Sequence, residues 1–364
     1  MKDKITKTCK QCGLPNTYPG IKFDKDNTCN YCVYFELNKN REKLSRMRMK
    51  KEFVNVVNAA KSRKNKYDCV VAYSGGKDSS FLLYFLKRRF NLKILAHTFD
   101  NGFVSETAQK NIKQVTKVLG IDHQTTRPGF DFLQGLFISA LKEEFVFPKE
   151  ILAMMSPVCA ACLGMVFGST INRAIRLRIP VMFIGFTPGQ YPAISLENFF
   201  KVKSCVYLSD KVYRDDPWDV LKIISDPIRE KFGRQASRYF FKSQYVAKRA
   251  FIPKVLFPFH VLLDYDEKKI IEAISKIGWV KPKDTDSCST NCLLNSLGNF
   301  CFAKKYGYHP YAGELAYLAR TGKLNRKQVL AAVKIEDDSF ALKHSLRKLN
   351  IKCDDVLKTE SCLK

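Results

Sequence analysis

The chain has 364 residues, 46% of them hydrophobic, enough to bury a substantial core and to divide into two or three domains. Its 62 Lys plus Arg against 35 Asp plus Glu leave a net charge of +27, which favours polyanionic partners such as RNA, nucleotides or phosphorylated sugars, although lysine spread along a whole chain gives the same bias without any binding role. No run of about twenty apolar residues marks a membrane span, and the start MKDKITKTCKQC lacks the apolar core of a secretion signal, so the cytoplasm is the expected compartment and no membrane partner is expected.

Thirteen cysteines in a cytoplasmic chain point to metal ligands or catalytic thiols more than to disulfides. The first four form two pairs, Cys9-x2-Cys12 and Cys29-x2-Cys32, at the spacing of a four-thiolate zinc site. With no fifth ligand nearby, such a site is closed and structural. Buried cysteines acting as small apolar residues are the alternative. Residues 15–24 supply the turn and short strand between the pairs. Residues 38–66, rich in Lys and Arg around Phe53, Val54, Val56 and Val57, read as a basic amphipathic linker helix, either a solvated face or a surface for a nucleic acid backbone.

Residues 68–73 form a short apolar run with the look of a buried parallel strand, and residues 79–90 carry apolar side chains at helical spacing. Between them lies Ser74-Gly75-Gly76-Lys77-Asp78-Ser79. Two adjacent glycines let the backbone approach a ligand closely, and the turn amides with the helix dipole favour a phosphate there. Lys77 adds a point charge; Ser74 and Ser79 add hydroxyl donors. The glycines and Lys77 are too close together for a GxxxxGK[ST] loop.

A second strand over residues 93–99 ends in Asp100-Asn101-Gly102, a helix spans residues 105–119 with Gly120 as its stop, and a third strand follows at 123–126. This alternation predicts a doubly wound parallel sheet, with ligands at the carboxyl ends of its strands. Asp100 then lies where an adenosine would sit, unless Asp100-Asn101-Gly102 is only turn chemistry. Cys159-x2-Cys162 precedes a helix over residues 163–177, and strand four, 180–186, brings Gly185 to Gln190 beside the phosphate loop. Residues 191–250, aromatic and basic, read as an insertion or lid that contacts the acceptor. Residues 254–263 read as a final strand and 265–277 as an amphipathic helix. Cys288-x3-Cys292 opens a helical C-terminal part with helices over 293–306, 311–321 and 326–333, and a short helical tail ends the chain. The expected domains are thus a four-cysteine zinc-binding module (1–37), the linker helix (38–66), a nucleotide-binding domain (67–190), the lid (191–250), the rest of the catalytic domain (251–335) and the tail (336–364).

The Ser74–Ser79 hexapeptide in its strand–turn–helix context resembles the PP-loop of the ATP pyrophosphatase superfamily. Those enzymes split ATP between the α and β phosphates and transfer adenylate to a carbonyl oxygen. The order of the Cys9–Cys32 pairs, the loop, the strand ending at Gly185, the Lys305-Tyr306-Gly307-Tyr308-His309 region and the Leu318-Ala319-Arg320-x-Gly322-x-Leu324-x-Arg326 stretch resembles the N-acetyl sugar amidotransferase family of surface-polysaccharide and flagellin sugar pathways. That resemblance implies an α/β PP-loop domain with an N-terminal zinc module, cofactors ATP, Mg²⁺ and Zn²⁺, and a sugar acceptor whose acetamido oxygen is adenylated and then displaced by ammonia from a glutaminase partner. Ser74, Gly75, Gly76, Lys77, Asp78 and Ser79 would hold the pyrophosphate, Lys77, Asp78 and Ser79 would be the catalytic groups, and Asp78 would carry the Mg²⁺.

Cys159, Cys162, Cys288 and Cys292 depart from that family. Three or four such thiolates meeting near the loop would hold an iron–sulfur cluster, such as [4Fe-4S], or a second zinc. In this the chain also resembles the cluster-dependent tRNA thiolation enzymes, where the same adenylate chemistry acts on a base carbonyl and sulfide replaces ammonia.

Overall fold

The computed structural model describes residues 7–187, 190, 216–241, 251–286, 288–336 and 338–357. Cys205 and Cys362, Pro188 and Gly189, and Lys242 and Arg249 of the expected lid lie outside the described residues.

Five short strands, β1 (Cys69–Ala72), β2 (Ile94–Phe99), β3 (Asp122–Thr126), β4 (Val181–Phe183) and β5 (Lys254–Leu256), form one parallel sheet in the order β3-β2-β1-β4-β5. The chain winds outward from β1 through β2 to β3, then returns to the other side of β1 for β4 and β5. This reversal opens a crevice at the carboxyl ends of β1 and β4, where open α/β sheets bind their ligands.

The strand period of two sorts apolar side chains onto two faces. Cys69, Val71, Ile94, Ala96, Val181, Phe183 and Leu256 pack with Phe53, Leu82, Leu83, Val115 and Ile270 on one face. Val70, Leu95, Met182 and Val255 pack with Phe167, Ile171 and Ala174 on the other. The helix Pro157–Arg176 is long and apolar enough to cross a membrane, yet 61% of its most apolar window is buried inside the protein, so it is the core helix of this second face.

Three sequence expectations need correction. The apolar run at 254–263 is not one strand. β5 stops at Leu256 and a short helix, Pro258–Val261, follows, because Pro258 has no amide to continue the ladder and is suited to a first helical turn. The helix expected over 163–177 begins six residues earlier, at Pro157, with the Ser156 hydroxyl accepting from the Cys159 amide as its N-cap, so Cys159 and Cys162 lie in its opening turns. The linker helix is longer than expected and starts inside the four-cysteine module: Asn30–Ser62 is a single 33-residue helix with Cys29 at its N-cap.

The N-terminal module is not a separate bead. Its cysteines, Leu14, Tyr18 and Tyr31 share one apolar cluster with Leu294, Phe302, Tyr308, Ala312 and Ala316 of the C-terminal helices. Tyr18 meets Tyr31 and Tyr308 edge-on at 5.7 and 5.3 Å between ring centroids. Thr17 donates to the Gly307 carbonyl at 2.7 Å, and Arg326 reaches back to the Cys9 carbonyl at 3.0 Å and the Thr8 hydroxyl at 2.8 Å. Both C-terminal stretches singled out in the sequence thus pack around the first thirty residues.

Candidate active site

β1 delivers the loop Ser74–Gly76 to the crevice, and the helix Lys77–Phe90 leaves from it. Gly75 has φ +77°, and a Cβ there would stand 2.5 Å from the Ala108 carbonyl oxygen and 2.8 Å from Ile112 Cγ1. Both the backbone angle and the space therefore demand glycine. The Gly75 carbonyl is held by the Trp279 indole at 3.0 Å. Ser74 and Ser79 join their hydroxyls at 3.1 Å, and Ser79 donates to the Gly76 carbonyl at 3.2 Å. Gly185 lies where expected in the chain path: a Cβ on it would stand 3.3 Å from both Ser79 Cα and N. Gly75→Ala is expected to cost about 1–3 kcal/mol of stability and to weaken ATP binding, read by thermal melting and by calorimetric titration with ATP.

Lys77 Nζ lies 3.3 Å from Asp78 Oδ2 and 3.9 Å from Glu267 Oε1, over the Tyr265 ring at 5.4 Å. Burial alone would lower its pKa, but Asp78, Tyr265 and Glu267 together hold it above the usual lysine range. Burial holds the Asp78 carboxyl above its ordinary value despite Lys77, and Asp78 Oδ1 is buried without a hydrogen-bond partner. Asp100 is engaged rather than free: Arg127 grips its Oδ2 at 2.8 and 2.6 Å, and Gly102 N donates to its Oδ1 at 2.9 Å.

The segment before the helix Leu294–Tyr306 crosses to the phosphate loop. Lys77 N donates to Thr290 Oγ1 at 3.0 Å, and a Cβ on Gly76 would stand 3.0 Å from that same hydroxyl. Ser105 N holds the Asn291 carbonyl at 2.9 Å, and Leu293 N the Phe103 carbonyl at 2.9 Å. Cys292 is therefore fixed two residues from the loop's own contact. Asn101 Nδ2 stands 3.4 Å from both Cys162 Sγ and Cys292 Sγ. Cys159 Sγ donates to Asn295 Oδ1 at 3.3 Å, and the charge of Cys292 bears on both Cys159 and Cys162. Burial pushes the Cys159 thiol up to about 12 and raises Cys162 and Cys292 as well. Cys162 and Cys292 thus share the Asn101 amide, with Cys159 three residues before Cys162 on the same helix, while among the described residues only the four N-terminal cysteines bring their sulfurs within 4.8 Å of one another. Cys288, expected to join them, turns its sulfur to the Ala332 carbonyl at 3.6 Å, because the Asp286 carboxylate accepts from Cys288 N and from Asn295, Ser296 and Asn299, fixing the turn that points Cys288 away.

The four N-terminal thiols form a second cluster, with all four Sγ atoms within 4.8 Å of one another. Cys9–Cys32 is 3.8 Å, Cys12–Cys29 3.6 Å and Cys29–Cys32 3.6 Å. Four sulfurs bound to zinc at ~2.3 Å in a regular tetrahedron stand ~3.8 Å apart, so the set has the dimensions of a metal site. Arg320 packs behind it; burial opposes its charge, but Cys12, Cys32 and Cys29 raise its pKa, and its Nη1 is buried with no hydrogen-bond partner. A cation there offsets the double negative charge that four thiolates leave around Zn²⁺.

Asn101, Thr290, Asn295 and Glu314 were not singled out from the sequence. Asn101 carried a turn signal only, and the others sit on segments whose place against the loop is a tertiary matter. Glu314 Oε1 accepts from Thr187 Oγ1 at 2.6 Å. Burial, the largest influence, pushes its carboxyl up to about 7 against Thr187 and Lys77.

The fold and loop define a parallel α/β protein that presents a glycine-rich loop at its sheet's switch point, with a four-thiol cluster of metal-site dimensions at the N-terminus. No protein-family model matches the chain. An uncharacterized protein, MJ1599, of Methanocaldococcus jannaschii is 39% identical over 75 residues, which are 21% of this chain and 27% of that relative; the match thus spans about a quarter of the relative's length. Among solved structures, the U34-tRNA thiolase NcsA from Methanococcus maripaludis with its [4Fe-4S] cluster is similar at a TM-score of 0.37 and 14% identity, over 98% of this chain and 97% of that chain.

Proposed function

We propose that this protein is an AMP-forming, ATP-dependent enzyme that adenylates a carbonyl oxygen of an RNA base or a small molecule and replaces it with sulfur. The observation that supports the choice of sulfur is the Asn101 amide shared by Cys162 and Cys292, with Cys292 two residues from Thr290, which touches the loop at Lys77 N. The sugar amidotransferase expected from the order of segments, with its ammonia from a glutaminase, has no use for the half-buried thiols of Cys159, Cys162 and Cys292. The charge of +27 supports an RNA acceptor over a neutral sugar.

Cys159, Cys162 and Cys292 are the thiols that would hold an iron–sulfur cluster, whereas a closed structural zinc site takes four ligands, as the N-terminal set supplies. A cluster held by Cys159, Cys162 and Cys292 would supply a site for the sulfur donor. The Asn101 amide stabilises two of the thiolates by donating to them. On the other wall, the Gly76 amide and the Lys77 ammonium would receive the β and γ phosphates of ATP, and Asp78 would hold Mg²⁺. The acceptor oxygen attacks the α phosphorus and pyrophosphate leaves. Activation is needed because an amide oxygen leaves poorly and AMP leaves well. The N-terminal four-thiol site would hold Zn²⁺ as a structural ion.

The test is elemental analysis of protein purified without oxygen, with an assay for thiolated RNA after incubation with ATP, Mg²⁺, sulfide and total tRNA. Wild type should carry about four irons with matching sulfide and about one zinc. Cys292→Ala should lose the iron, keep the zinc and form no thiolated RNA. Zinc alone in both proteins would sink the sulfur reading and return the amidotransferase to the front.

A further inference from the structure

Adenylating an amide or lactam carbonyl requires a base for its N–H proton. The acceptor must sit between the phosphate loop, which receives its leaving pyrophosphate, and the three thiols. The helix Ala312–Arg320 is hydrogen-bonded to segments on both sides. Tyr311, at its start, donates to Asn295 Oδ1 at 3.3 Å, the atom that also accepts from Cys159 Sγ at 3.3 Å. One turn on, Glu314 is held by Thr187 from the end of β4 and lies close enough to Lys77 and Asp78 for their charges to bear on it. It is therefore a carboxylate beside the glycine-rich loop, on the helix whose preceding residue, Tyr311, shares Asn295 with Cys159.

We infer that Glu314 is the general base of the adenylation step and acts on a substrate whose reacting carbonyl belongs to an N–H–C=O amide or lactam. This rests on the adenylation reading above. In the first step the acceptor oxygen bonds to the α phosphorus, the P–O bond to pyrophosphate breaks, and the N–H proton passes to the Glu314 carboxylate, leaving an N=C–O–AMP group. In the second step hydrosulfide adds to that carbon, AMP departs with the C–O electron pair, the S–H proton moves to the ring or amide nitrogen, giving N–H–C=S, and Glu314 releases the proton it took to solvent. Electrons and protons balance without an oxidant or reductant.

The groups facing Glu314 suit this task. Thr187 and Gln190 hydrogen-bond to its carboxylate from one side. Lys77 opposes and Asp78 favours its protonation, with Tyr265 and Glu267 grouped behind Lys77. His260 lies behind Thr187, and burial keeps it neutral, at about 4. Tyr311 sits on its own side, with burial holding its phenol protonated. A carboxyl pushed up to about 7 is ionised above that pH and can still give its proton back near it, the condition for a group that both takes and returns one. Because only the carboxylate accepts a proton, the rate should rise with pH through about 7 and level off above it.

The experiment measures single-turnover AMP formation by the anaerobically purified holoprotein with ATP, Mg²⁺, sulfide and total tRNA from about pH 5.5 to about 8.5, a range that brackets the expected titration, for wild type, Glu314→Gln and Glu314→Asp. Thermal melting and ATP titration accompany each variant. Glu314→Gln should keep its fold and its ATP affinity, lose about 10²–10⁴-fold in rate and lose the rise near neutral pH, while Glu314→Asp recovers part of the rate with the rise displaced. A Glu314→Gln protein that binds ATP normally and keeps the wild-type rate and pH profile overturns this role while leaving the adenylation reading intact. Wild type that forms no AMP and no thiolated RNA overturns the adenylation reading and this role with it.

Discussion

Lys77→Ala is expected to form AMP from ATP at least about 10³-fold more slowly than wild type while remaining folded. In the structure the Lys77 side chain is 14% exposed and its charge is concentrated between Asp78, Glu267 and the Tyr265 ring. Charge in such a poorly hydrated cleft acts on a developing phosphate anion far more strongly than in water. No other cation pairs with Asp78 among the described residues. Deleting the ammonium also leaves Asp78 beside Glu267 with no partner, so Asp78, whose pKa burial already raises, would take up a proton. Neutralisation limits the damage to the fold to about 1–2 kcal/mol. Chromatographic measurement of AMP, with a thermal melt beside it, separates the two effects. A folded Lys77→Ala protein with full activity would remove the phosphate-loop reading altogether.

Cys12→Ser is expected to empty the N-terminal metal site and to lower the melting temperature by about 10 °C or more. Binding of a structural zinc is worth about 10–16 kcal/mol in small isolated modules; here part of the structure survives because the module is also packed by Tyr18, Tyr31 and Tyr308. Losing one thiolate leaves Arg320 buried against a depleted set of anions, which adds to the cost. The module and the C-terminal helices share one apolar cluster, so both should loosen together, and protease should cut near the two ends of the chain at once. Zinc content, the melt and the digestion pattern check this. A variant that loses no metal and melts as wild type would mean that these four cysteines serve only as small buried side chains. Iron content should be unchanged in this variant, since Cys159, Cys162 and Cys292 belong to a separate site.

Much of this protein is set locally and was therefore legible in the linear chain. The parallel sheet follows from apolar runs of strand length alternating with helical periodicity, and the cradle follows from Gly75 and Gly76 placed between the two, because both depend on neighbours within a few residues. The Cys9, Cys12, Cys29 and Cys32 set was readable for the same reason: each CxxC is a local knuckle, and the sixteen residues between Cys12 and Cys29 suffice to bring two knuckles together.

Tertiary structure decided the rest. Cys292 comes to share the Asn101 amide with Cys162 across more than a hundred residues, because Thr290 and Asn291 are hydrogen-bonded to the glycine-rich loop and to Ser105. Cys288, four residues away and equally attractive as a sequence signal, is turned outward by the hydrogen bonds gathered on Asp286. Asn101, Glu314 and Arg320 acquire their chemistry only from what they are buried against, and burial is a property of the folded chain. Spacing specifies which thiols can meet when a short loop closes on itself; when the loop is long, closure entropy no longer distinguishes one partner from another, and packing alone selects it.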